Sequence, residues 1–144
     1  MTHPHTALET LGLSPDPTTL ERVLHLLGGP LNLPATQRHA PARLDARDLP
    51  TTRVSAWLRR QLPTTSTSLS VVWPASDVAA TLPTDTLLGH LHLLWLPVLG
   101  DLLAVDADHH RLVTLSRQEI VTVSPLRGET PAGDGDPPGE ERPG

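Results

Sequence analysis

From residue 5 to residue 62 the apolar positions of this chain recur at helical spacing, and from 68 to 124 they fall in short strand-like runs. Leu20, Val23, Leu24 and Leu27 stand at i, i+3, i+4 and i+7 behind Asp16-Pro17, a capping residue followed by a proline suited to the first helical turn. Gly28-Gly29-Pro30 stops that helix. A shorter helix is predicted over 6–11, with Leu8 and Leu11 on one face and Gly12 as its stop. The third predicted helix, over 51–62, has the clearest pattern. Thr51 or Thr52 caps it after Pro50, Val54, Trp57, Leu58 and Leu62 form its apolar stripe, and Pro63 bars its continuation.

The period changes at Ser68. Leu69, Val71 and Trp73 alternate with Ser68, Ser70 and Val72, the pattern of a half-buried strand. Ser76-Asp77 is read as the start of one helical turn reaching Leu82. The run 87–96 fits either period and is assigned to a strand, with Leu87, Leu91, Leu93 and Trp95 on one face. Three shorter strands are predicted at 102–105, 111–115 and 120–123, joined by short polar links that favour antiparallel neighbours. The expected fold is therefore α+β: about three N-terminal helices packed as one layer on a C-terminal, mainly antiparallel sheet of four to five strands. Residues 1–124 are expected to form one domain, helical over 5–62 and sheet over 68–124. Residues 125–144, rich in Pro, Gly, Asp and Glu, are predicted to be a disordered acidic tail.

Charge adds a second layer to this pattern. Arg38, Arg43, Arg47, Arg53, Arg59 and Arg60 lie between residues 38 and 62 against only Asp45 and Asp48, a local excess of four positive charges in a chain of net charge −5. A basic segment in an acidic protein points to recognition of an anionic surface or to docking on the protein's own acidic side. All eleven basic residues are arginine, Phe, Tyr and Cys are absent, and Asn32 and Ile120 are the sole examples of their types, a bias expected of a GC-rich bacterial genome. Its chemical consequences hold whatever its origin. Without lysine there is no P-loop lysine and no Schiff-base nucleophile; without cysteine there is no thiol nucleophile, zinc ribbon or disulfide. The three tryptophans alone are left for base stacking, which argues against single-strand binders built on aromatic platforms. No cofactor is expected. The longest apolar run contains His90 and His92 and is too short for a membrane span, so no membrane partner is expected. The opening Met-Thr-His-Pro-His-Thr does not read as a secretory signal, and the expected compartment is the cytoplasm.

The segment 20–33, centred on Glu-Arg-Val-Leu-His-Leu-Leu-Gly-Gly-Pro-Leu, resembles the first helix and following turn of bacterial winged-helix repressors. The segment 51–62, Thr-Thr-Arg-Val-Ser-Ala-Trp-Leu-Arg-Arg-Gln-Leu, resembles their recognition helix, in which a Val-Ser pair precedes a Leu-Arg-Arg run. The resemblance implies that Thr51, Thr52, Arg53 and Ser55 face bases or phosphates, that Arg59 and Arg60 hold the backbone, and that 68–73 leads into the wing. It spans residues 20–73, and it departs from the family over 34–49, where Pro34 and Pro41 interrupt the place of the second helix.

Candidate chemistry elsewhere is sparse. On a strand, His90 and His92 would share a face about 7 Å apart, a span two metal ligands can bridge, and Asp106, Asp108, His109 and His110 in a later turn could supply further ligands for a hydrolytic divalent metal. The same residues are equally at home on a solvated face and in a polar turn. Neither Gly-x-Ser-x-Gly nor Ser-x-x-Lys occurs, and Ser66, Ser68 and Ser70 read as a loop entering a strand. The expectation is a non-catalytic adaptor that binds a protein partner through the helix 51–62, with Arg53, Trp57, Arg59 and Arg60 as the contact residues. DNA is the alternative partner, a metal-dependent hydrolase the second alternative, and self-association is compatible with either binding reading.

Overall fold

The computed structural model describes residues 3–27 and 32–126. Its centre is a six-stranded, wholly antiparallel sheet in the order β1-β6-β5-β4-β2-β3: β1 (Ala42–Asp45), β2 (Ser68–Trp73), β3 (Val78–Pro83), β4 (Leu102–Asp106), β5 (Arg111–Leu115) and β6 (Ile120–Pro125). Six α-helices surround it among the described residues: α1 (Pro4–Thr10), α2 (Pro17–Leu27), α3 (Leu33–Arg38), α4 (Thr51–Gln61), α5 (Thr84–Gly89) and α6 (Leu91–Leu94). The fold class is thus α+β as expected, with six strands rather than four or five. No described helix is long and apolar enough to cross a membrane. The stop at 28–30 and the acidic tail beyond Leu126 lie outside the described residues.

Both faces of the sheet are covered, which corrects the expectation of a single helical layer. Leu69, Val71 and Trp73 of β2 and Leu102 and Ala104 of β4 join Leu8, Val54, Leu58, Leu87, Leu91 and Leu94 in the larger core. The alternate positions Val72, Leu103 and Val105 point the other way, into a smaller core with Val23 and Leu27 of α2. Consequently α1, α4, α5 and α6 form one layer, whereas α2 lies on β2 and β3, and α3 lies on β6. Leu24 is left 47 % exposed, so the α2 stripe narrows to Val23 and Leu27 with Leu20 and Leu26 flanking them.

Four elements differ from the sequence reading for local reasons. Helix α3 is not expected where prolines interrupt residues 34–49, but Pro34 falls in its first turn, where a proline does not interrupt a helix, and Pro41 lies beyond its end. Residues 78–83 are strand β3, not a helical turn: the turn is the short 3₁₀ segment Pro74–Ser76, after which left-handed Asp77 reverses the chain so that Val78 pairs with Trp73 and Pro83 with Ser68. The run 87–96 is not a strand: it is helical up to Leu94, in the end of α5 and in α6. Its buried leucines are Leu87, Leu88, Leu91 and Leu94, separated by steps of one, three and three residues as on a helix face. Strand β1 had no signal, being four residues long and half charged; Ala42 and Leu44 turn inward while Arg43 and Asp45 are exposed.

Caps and indole bonds pin the helices. Asp16 closes the start of α2 by accepting from Thr18 N–H at 3.0 Å and Thr19 Oγ1 at 2.9 Å. Asn32 does the same for α3 through Ala35 N–H at 3.1 Å, and Pro34 sits harmlessly in its first turn. The start of α4 has no side-chain cap, so neither Thr51 nor Thr52 serves as one; Pro50 occupies the cap position. Fully buried Trp73 donates Nε1–H to Leu94 C=O at 2.9 Å, and Trp95 donates to Ser116 C=O at 3.3 Å, tying the α6 region to the sheet.

One polar contact carries α3. Buried Gln37 donates from Nε2 to Thr114 Oγ1 at 3.0 Å and Ile120 C=O at 2.9 Å, while Thr114 and Thr122 share a hydroxyl hydrogen bond across β5 and β6. Gln37→Ala removes two hydrogen bonds, each worth about 0.5–1.5 kcal/mol net, while Thr114 keeps Thr122 and Ile120 C=O keeps Ser116 N–H; the expected loss is about 1–3 kcal/mol of unfolding free energy, read from the midpoint of a urea titration.

Candidate functional site

The expected contact residues lie on α4, whose inner edge is set by Val54, Leu58 and the following Leu62, all buried. Most of the other residues of α4 form the outward face. Arg53 and Arg60 are exposed, Trp57 is half-buried with its inner part against the main core, and the three stand at i, i+4 and i+7 on one side of the helix. Arg59 is turned toward α5, where its guanidinium meets Asp85 at 2.7 Å. With side chains 50 % and 86 % exposed, that pair is a weak surface contact that a partner can displace.

The other arginines of the basic segment divide in the same way. Arg47 chelates Asp45, with Nη2 to Oδ2 at 2.6 Å, Nε to Oδ1 at 3.0 Å, and its own backbone N–H to Oδ1 at 3.1 Å. These hydrogen bonds, the side-chain one foremost, hold the Asp45 carboxyl below its ordinary value of 3.8. No carboxylate among the described residues lies in ion-pair contact with Arg38, Arg43, Arg53 or Arg60. The basic character seen in the sequence therefore survives folding at four positions, two of them on α4.

The positions implied by the repressor resemblance separate. Thr52 and Arg53 are exposed and Thr51 is partly so, but Ser55 is buried and donates its hydroxyl to Leu88 C=O, which turns it into a helix-packing residue. The chain before α4 is edge strand β1, and α3 lies on the other face of the sheet, so no helix packs before α4 as in a helix-turn-helix. Strands β2 and β3 are parts of the main sheet rather than a projecting wing.

The histidines do not assemble the expected metal set. His90 caps the junction of α5 and α6, with Nδ1 2.8 Å from Thr86 C=O, and exposed His92 lies 6.1 Å away between ring centroids. Asp106, Asp108, His109 and His110 occupy the β4–β5 hairpin. Among the described residues no three or more His, Cys, Asp or Glu side chains converge as a metal site. The hairpin instead builds a hydrogen-bond chain that sequence inspection missed: Asp106 to His109 Nδ1 at 3.0 Å, and His109 Nε2 to Thr65 Oγ1 at 2.8 Å. Thr65 and His109 are 44 positions apart and share no motif.

A cleft of about 530 Å³ lies between the end of α4 and the start of α5, lined by Arg59, Thr64, Ser66, Thr84 and Asp85 among others. Leu62, Pro63, Pro83 and Leu88 also line it. Comparison of the chain with protein-family models, curated proteins and solved structures finds no match in any of the three.

The Asp45–Arg47 pair has a pH signature. Because folding lowers the Asp45 pKa, the pair's contribution is fully present above the ordinary value of 3.8 and is lost as pH falls through the lower folded value. Thermal unfolding followed between pH 5 and about pH 2 is expected to fall less steeply for Asp45→Asn than for the parent.

Proposed function

We propose that this protein is a non-catalytic binding or adaptor protein, that its contact surface is the outer face of α4, and that its partner is an acidic protein surface. The observation that carries the reading is the stripe Arg53–Trp57–Arg60, in which two exposed guanidinium groups without a carboxylate partner among the described residues flank a half-buried indole. Arginine and tryptophan are the side chains most enriched where binding energy concentrates, and a planar guanidinium takes a carboxylate through two parallel hydrogen bonds. Arg59 adds a third cation once Asp85 is displaced. An acidic protein fits better than DNA, since Ser55 is turned inward and α4 lacks the preceding helix that seats a recognition helix in the major groove.

The reading is tested by affinity capture from the native cell extract, with and without nuclease, using the parent and the double variant Arg53→Glu, Arg60→Glu. The expected result is a protein that resists nuclease, elutes as salt rises, and is captured at least tenfold less by the variant, while circular dichroism and thermal midpoint stay unchanged. Equal capture by both removes α4 from the interface. Nuclease-sensitive retention identifies DNA as the partner, and a concentration-dependent dimer lost in the variant identifies a second copy of the chain.

A further inference from the structure

From the hairpin geometry we infer a modification site at Thr65: its hydroxyl is an activated acyl acceptor, with His109 as its general base and Asp106 as the group that orients His109. The roles follow from the donors and acceptors. Asp106 has a side chain only 3 % exposed, and as a carboxylate it can only accept; both its oxygens face His109 Nδ1, at 3.1 Å and 3.0 Å, and Oδ1 also takes the His109 backbone N–H at 3.3 Å. That arrangement places the imidazole proton on Nδ1 and leaves the Nε2 lone pair for the Thr65 hydroxyl, 2.8 Å away. A hydroxyl that donates to an imidazole held by a buried carboxylate has the geometry of an activated oxygen nucleophile.

Two turns built independently bring the groups together. Thr65 is a central residue of the turn closed by Ser66 N–H to Pro63 C=O at 3.0 Å, directly after α4, and it is exposed to solvent. The β4–β5 hairpin, with left-handed His110 at its end, carries His109 to meet it. Thr64 is a built-in control. It is an exposed threonine one residue away that makes no side-chain hydrogen bond to a histidine among the described residues.

The electrophile is an uncharged activated acyl group, an ester or thioester. Asp106 and Asp108 in the same hairpin disfavour the anionic phosphoryl group of a phosphate donor. In the step, Thr65 Oγ bonds to the acyl carbon as its proton passes to His109 Nε2; the bond from that carbon to the leaving oxygen or sulfur breaks, and the leaving group takes up one proton. The product is a Thr65 ester, with no change of oxidation state. This assignment is independent of the α4 surface, and a single stoichiometric acylation is compatible with an otherwise non-catalytic protein.

The test uses p-nitrophenyl acetate with the full chain, with intact mass and peptide mapping as the readout. The expected result is one acetyl group on Thr65, formed at least tenfold faster than on Thr64. It is abolished by Thr65→Val and reduced to the Thr64 rate by His109→Gln. Thr65→Ser, which removes the hindering methyl group, is expected to react faster than the parent. Each variant is checked by thermal midpoint, and the exposed Thr65 pair keeps the test decisive if His109→Gln proves unstable. Equal labelling of Thr64 and Thr65, or Thr65 labelling that persists at the parent rate in folded His109→Gln, overturns the assignment.

Discussion

Burial of both faces of the six-stranded sheet is the constraint on which the rest of the molecule depends. Strands β2, β4, β5 and β6 are nearly continuously buried along their length because α1, α4, α5 and α6 cover one face while α2 and α3 cover the other. Antiparallel sheets more often leave one side to water. Covering both requires that every polar side chain beneath the helices find a partner inside. Gln37, Thr114, Thr122, Trp73 and Trp95 do so through the bonds described above, and only the Ser124 hydroxyl is buried without a protein partner among the described residues.

The same constraint decides where charge can sit. The arginines of residues 38–62 lie on α3, on the edge strand β1 and the turn after it, and on α4, none of them in either core. Two of them meet aspartates and four do not. Leaving cations unpaired costs little in water, and it keeps them available to another molecule. The indole of Trp57, anchored in the core on its inner side, offers a rigid apolar surface between Arg53 and Arg60.

The loops carry the remaining chemistry. Because β2 follows α4 by one short turn and lies beside β4, the tip after α4 reaches the β4–β5 hairpin at the same end of the sheet. Sheet order, not sequence proximity, thus brings Thr65 to His109. Asp106 is the last residue of β4, so the imidazole in the turn is held by a buried carboxylate that the sheet positions.

Sequence alone determined the elements whose periodicity is unambiguous: α4 with its Pro50 and Pro63 limits, α2 behind Asp16-Pro17, and strands β2, β4, β5 and β6 between turn residues. It also showed the basic segment and the residues of the α4 stripe, since a helix face follows from spacing alone. The leucine-rich run 87–96 was not decidable locally, because nearly every position is apolar and both periods fit; packing against the sheet chose the helix. Strand β1 exists only because β6 offers it a free edge, and β3 only because β2 does. Whether Ser55 faced solvent or core, which arginines kept their charge unpaired, and the meeting of Thr65 with His109 were settled by contacts between residues distant in the chain. Tertiary structure alone decides such contacts, because hydrogen bonds and ion pairs depend on distances of a few ångströms that no local periodicity encodes.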